Sequence, residues 1–129
     1  MFLFETSYAK NSYFEEGKKL FNNKEYVNSK IYFEKDIVFN PKNKNSYLYL
    51  AKLFKKKEKD NLEENNLNTV LLLDPKNEEA IYLLALLNIK KSNFSKVREL
   101  ILTMESVCKK MCSTTIEIKK KLDESQKSK

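Results

Sequence analysis

The sequence contains no histidine and no tryptophan, one glycine, two prolines, one arginine and two cysteines. Without histidine, the commonest general base, proton shuttle and metal ligand is missing. Catalysis by lysine or paired carboxylates is left without a motif, so no enzyme activity and no cofactor are expected. A single glycine and two prolines in 129 residues leave few breakers for the turns of an all-β fold, and they suit helices. Cys108 and Cys112 lack a histidine or further cysteine to complete a zinc set, so no metal site is expected. They read as two small, half-buried thiols of a reducing compartment, on one face if that stretch is helical.

Long apolar runs are missing too. The longest, Ala80 to Leu87, falls far short of the ~20 residues that cross a membrane. Met1-Phe2-Leu3-Phe4 is too short for a signal h-region and lacks a basic n-region, which points to the cytoplasm. Ser7-Tyr8-Ala9 does carry the small residues of a cleavage site. A true start lying upstream would therefore make the chain exported or periplasmic.

Positive charge is abundant, at a formal +7, yet 24 lysines and only Arg98 carry it. Base readout leans on arginine forks, so nucleic-acid binding is the weaker reading and most lysines belong to a solvated surface. Lys55-Lys56-Lys57 and Lys59 fall at a helix end, where cations complement the macrodipole. The sharper alternative for them is an acidic partner or a phosphate.

What the chain does have is a period. Asn40-Pro41-Lys42-Asn43 returns in register as Asp74-Pro75-Lys76-Asn77, thirty-four residues on. The same step links Tyr13, Tyr47 and Ile81; Gly17, Ala51 and Ala85; Phe33, Leu67 and Ile101; and Phe39, Leu73 and Val107. A fixed period of this size marks a stacked repeat, which works by presenting a surface.

Apolar residues at helical spacing give three helix pairs. Ser12-x-x-Glu15 is a capping box for the first helix, which carries Tyr13, Phe14, Gly17, Leu20 and Phe21 and breaks at Asn22-Asn23. A second runs from about Lys24 to Phe39, with Tyr26, Ser29, Ile31, Phe33 and Ile37 as core candidates, and stops before Pro41. The next pair carries Tyr47, Leu50, Ala51 and Phe54, then Leu62, Leu67, Val70, Leu71 and Leu73. The third carries Ile81, Leu84, Ala85 and Leu87, then Phe94, Val97, Leu100, Ile101 and Met104. Its first helix is apolar nearly all round, as a helix wedged between neighbours should be. Thr114-x-x-Glu117 is placed to cap a last helix with Ile116, Ile118 and Leu122, covering the open flank of the stack.

These residues resemble the tetratricopeptide repeat (TPR) family, whose units place an aromatic, Leu-Gly or Leu-Ala, a bulky residue, a Tyr, a small residue, an aromatic and a closing Pro. The first unit supplies Tyr13, Gly17, Leu20, Tyr26, Ser29, Phe33 and Pro41; the second Tyr47, Leu50-Ala51, Phe54, Leu67 and Pro75; the third Leu84-Ala85, Phe94, Val97 and Ile101. Glu16 stands where the family has Leu, and Asp60 and Glu63 stand for the Tyr and small residue of the second unit. That helix is expected to start late or pack loosely. The resemblance implies an all-α, right-handed TPR-like superhelix. It has an N-terminal segment (1–9), repeats at 10–43, 44–77 and 78–111, and a capping helix with a polar tail (112–129).

In that family the first helix of each pair lines a concave groove for partner segments. The groove rows implied here are Phe14, Leu48 and Tyr82; Glu15, Tyr49 and Leu83; Lys18, Lys52 and Leu86; Phe21, Lys55 and Ile89; and Asn22, Lys56 and Lys90. Such a face suits a protein or peptide segment with apolar anchors and acidic residues. The carboxylate clamp of chaperone-binding members is not matched. Its positions fall on Phe14, Lys18, Tyr49, Glu79 and Leu83, of which only Lys18 fits the chemistry. The expected role is a non-enzymatic adaptor or scaffold. The alternative is a self-associating subunit, for instance a homodimer, whose groove is covered by Met1–Phe4 or by a second copy.

Overall fold

The computed structural model describes residues 13–128, and among them every regular element is an α-helix. In chain order these are α1 (residues 13–22), α2 (Tyr26–Phe39), α3 (Lys44–Lys56), α4 (Asp60–Leu73), α5 (Glu78–Lys90), α6 (Phe94–Val107) and α7 (Thr114–Lys127). The chain divides inside α4 into two compact units, Met1–Thr69 and Val70–Lys129. The capping residue expected at Ser12 and the segment 1–9 lie outside the described residues.

The thirty-four-residue period is written into the helix boundaries. Helices begin at Tyr26, Asp60 and Phe94, and again at Lys44 and Glu78; they end at 22, Lys56 and Lys90, and at Phe39, Leu73 and Val107. The repeated tetrapeptide is the joint. Asn40 and Asp74 close their helices by donating N–H to the Asp36 and Val70 carbonyls, both at 2.7 Å. Pro41 and Pro75, lacking an N–H, follow at once. Asn43 Oδ1 then accepts from the Asn45 N–H at 3.2 Å, and Asn77 Oδ1 from Ala80 at 2.9 Å. Each side chain satisfies an orphan donor at a helix start, a contact worth about 1 kcal/mol.

The turns inside each pair repeat as well. Lys24, Glu58 and Ser92 are all left-handed, with φ of 64°, 54° and 59°. After each, an N–H closes a long return bond of 2.9 Å: Glu25 to Leu20, Lys59 to Phe54, Asn93 to Asn88. This is the helix-ending motif that ordinarily uses glycine, and none of the three is one.

In the first unit, the Ser29 hydroxyl donates to the Gly17 carbonyl at 3.0 Å, so α1 and α2 cross closely. A Cβ at Gly17 would stand 2.8 Å from the Phe33 ring, which explains the glycine. Phe33, Leu50 and Leu53 form the buried core. Full burial of a side chain such as Phe33 contributes about 1.5–3 kcal/mol. Beside it, Asp36 is 1% exposed, and its Oδ2 accepts from the Ser46 hydroxyl at 2.5 Å and from Asn43 Nδ2 at 2.8 Å. In the second unit, α5 packs on α6 and α7 packs on both. Ile81, Leu84, Ala85, Leu87, Val97, Leu100, Ile101, Met104, Ile118 and Leu122 are buried there.

Several expectations are corrected. α2 starts at Tyr26, because Lys24 is spent on the left-handed turn. Ile31, Leu62, Leu73 and Ile116 are exposed rather than core. Ile31 lies two residues, about 200°, from Phe33 on the same helix and so faces away. α4 does not start late: Asp60 and Glu63 stand in its first turn, where acids complement the helix dipole, and Glu63 is buried. Thr114 is the first residue of α7 and not its cap; its hydroxyl donates to the Met111 carbonyl. The two thiols are not free. Cys108 and Cys112 form a disulfide, because residues 108–113 are a loop and their Cα atoms stand 5.2 Å apart.

Candidate partner-binding faces

On α1 of the first unit, Phe14, Lys18 and Phe21 follow at steps of four and three, and on α3 Tyr49, Lys52 and Lys56 follow at three and four. Each set shares one helix face. Their rings converge. Tyr49 stacks on Phe33 with centroids 4.9 Å apart, meets Phe21 edge-on at 5.0 Å and Phe14 at 6.1 Å. Phe21 in turn meets Tyr26 at 5.4 Å. Phe14, Phe21, Tyr26 and Tyr49 are half-buried against the core, so each anchors in it while leaving ring surface in water.

Lysines lie over that surface. Lys52 Nζ is 4.9 Å from the Tyr49 centroid, Lys56 is 4.8 Å from Tyr26 and Lys18 is 5.8 Å from Phe14. At exposed sites such pairs contribute about 0.5–1 kcal/mol each, and the alkyl stems cover apolar area while the charge stays hydrated. α3 carries no acidic residue at all; its last turn holds Lys55 and Lys56, which complement the helix dipole. Leu48 is 6% exposed and packs inward, and Lys55 is exposed. A depression of about 380 Å³ lined by Glu15, Lys18, Lys19, Asn22 and Asn23 borders this face and mixes both signs of charge. Tyr26 was expected only as core, and its pairing with Lys56 joins two helices with no shared spacing that sequence could reveal.

In the second unit, Tyr82, Leu83, Leu86 and Ile89 of α5 are half-buried. The Tyr82 hydroxyl donates to Glu117 Oε2 of α7, and this bond, then burial, raises the phenol above its ordinary value. Tyr82 therefore helps to seat α7. One turn earlier, the Glu78 carboxylate accepts three consecutive N–H groups of the α6–α7 loop: Lys109 at 2.7 Å, Lys110 at 3.1 Å and Met111 at 3.0 Å. The bonds from Met111 and Lys109 hold its carboxyl below the usual glutamate range. Donor atoms of Glu78, Cys108 and Cys112 lie within 4.8 Å of one another. The sulfurs are bonded to each other and the carboxylate is held by amides, so this set is committed to building the loop.

Comparison with solved structures now decides the architecture. The complex of the TPR2B domain of yeast Sti1 with pHsp70 superposes with a TM-score of 0.78 at 16% identity, over 94% of this chain and 98% of that one. The fold is TPR-like. The Yersinia enterocolitica type III secretion chaperone SycD, in complex with a peptide of the translocator YopD, gives 0.78 at 9% identity, covering 92% of each chain. The Sgt2 TPR domain from Aspergillus fumigatus gives 0.68 at 15%, over 92% of this chain and 78% of that one. No protein-family model matches the sequence, and no curated protein does. The TPR-like fold thus rests on helix geometry and on the repeated register of Gly17, Ala51 and Ala85, all three buried. Among the described residues, no helix is long and apolar enough to cross a membrane.

Proposed function

We propose that this TPR-like protein is a non-enzymatic adaptor that captures a protein or peptide segment bearing apolar anchors and acidic residues. The observation that carries the reading is the lysine-covered aromatic cluster of the first unit. Phe14, Phe21, Tyr26 and Tyr49 offer rigid, half-anchored rings, and the ammonium groups of Lys18, Lys52 and Lys56 lie over them. An arriving carboxylate draws a lysine off its ring. The same motion that forms the ion pair uncovers the ring as an apolar anchor. That the yeast Sti1 and Yersinia SycD domains were solved with pHsp70 and a YopD peptide supports segment capture as the class of function.

Charge reversal tests this. Lys18→Glu with Lys52→Glu should abolish recovery of partners in affinity purification from native cells followed by mass spectrometry, while circular dichroism stays unchanged. Recovery of the same partners at equal yield would refute the proposed face. Tyr82→Ala is the poorer probe, since it also breaks the bond to Glu117.

A further inference from the structure

Two sulfurs, three amides and one carboxylate meet at the α6–α7 loop. Cys108 ends α6, its N–H donating to the Met104 carbonyl at 2.8 Å. The Cys112 carbonyl accepts both the N–H and the hydroxyl of Thr115, at 3.3 and 2.9 Å, and so starts the first turn of α7. The disulfide therefore joins the last cap of one helix to the first scaffold of the next. Between its sulfurs lie Lys109, Lys110 and Met111, whose N–H groups all point at Glu78. Successive amides converge on one anion only while their backbone is held in a fixed curl. The small covalent ring holds it. Cys112 is exposed and Lys109 and Lys110 flank the ring, so a thiolate has both access and electrostatic attraction.

We infer that Cys108–Cys112 is a thiol–disulfide exchange site whose reduction by a dithiol loosens α7 from α5 and α6. A thiolate of the dithiol attacks Sγ of Cys112, and Cys108 leaves as its thiolate. The second thiol of the reductant then attacks its own sulfur in the mixed disulfide and releases Cys112. Two electrons and two protons pass to the protein, and the dithiol becomes a cyclic disulfide. Without the ring, the 109–111 amides lose their common direction and Glu78 loses its hold on the loop. α7 then still has buried Thr115, Ile118 and Leu122, the Tyr82–Glu117 bond and the exposed Lys119–Glu105 pair. The surface it uncovers is the apolar flank of the second unit.

Hydrogen exchange of the full chain with and without dithiothreitol tests this, with the gain of two hydrogens per molecule confirming reduction by mass. Exchange at residues 109–111 and along α7 should rise about tenfold or more on reduction, while residues 13–56 stay unchanged. Cys112→Ser should reproduce the reduced pattern without reductant. Glu78→Gln should raise exchange at 109–111 with the disulfide intact. Equal exchange in the oxidised and reduced forms would overturn the inference, as would a disulfide that dithiothreitol fails to reduce in the folded protein. Should Cys112→Ser not fold, the reduction experiment on the unaltered chain decides alone.

Discussion

Replacing Asp36 and Ser46 together should leave the protein as stable as before, although replacing Ser46 alone should damage it. Asp36 is 1% exposed, Ser46 is fully buried, and the Asp36 Oδ1 accepts no hydrogen bond among the described residues. The carboxylate thus depends on Ser46 and Asn43 through its other oxygen. Thirty-four residues later the same two positions are Val70 and Ala80, both 0% exposed. The chain itself therefore contains an apolar version of the pair. Ser46→Ala removes the nearer donor to a buried charge and should cost about 2–3 kcal/mol. Asp36→Val alone strands a hydroxyl that can still pair with Asn43 Nδ2 at 3.3 Å, so the cost should be about 1 kcal/mol. In the double variant no polar atom of the pair remains to be desolvated, and stability should return to within about 1 kcal/mol of the starting protein. The coupling energy is then about 2 kcal/mol or more, against about 0.5 for independent sites. Urea unfolding followed by circular dichroism measures it, with slopes checked for constancy. Additive losses would refute the argument that Asp36 and Ser46 form one exchangeable unit.

Gly17→Ala should gain up to about 1 kcal/mol of helix propensity but lose about 1–3 to crowding against Phe33, whose ring is trapped against Tyr49. A lowered urea midpoint, partly restored by Phe33→Leu, is the expected result. Lys24→Gly, Glu58→Gly and Ser92→Gly each relieve a left-handed side chain and should raise stability by about 0.5–1 kcal/mol, read from the same midpoints. Glu78 titrates below the usual glutamate range when folded, so its contribution is complete above that range and is lost as pH falls through the lowered value. Thermal midpoints should decline in acid less steeply for Glu78→Gln. Tyr82 is shifted the other way; its contribution is present below the ordinary phenol value and fades as pH rises through the raised one, a loss that Tyr82→Phe should remove.

Much of the fold was legible because the repeat period, the prolines and the helical spacing of apolar residues act locally. Gly17, Ala51 and Ala85 could be placed in one register by the period, and all three are buried. Local rules failed where a residue answers to a distant one. Ile31 and Leu62 are apolar in type yet face water, since type does not say which side of a helix is covered. The Asp36–Ser46 bond joins two helices across ten residues, a tie that no helical spacing marks. Cys108 and Cys112 were legible as neighbours but not as a bond, because that depends on the stretch being a loop. At the candidate face, the resemblance to the TPR family implied Phe14, Phe21 and Tyr49 as groove residues, and the Phe14 and Phe21 rings both meet that of Tyr49. The tie between Tyr82 and Glu117, thirty-five residues apart, leaves no local trace.

The left-handed turns at Lys24, Glu58 and Ser92 have a bearing on how such a protein can change. All three carry side chains where glycine would be easier, at the same step of every helix pair, and none contributes to the aromatic cluster or to the α6–α7 loop. Robustness and recognition therefore sit on separate dials. Mutations that weaken the core in the course of acquiring a new partner can be compensated at these three corners. Glycine there would restore tolerance to the scaffold without altering a single residue that the partner is proposed to touch.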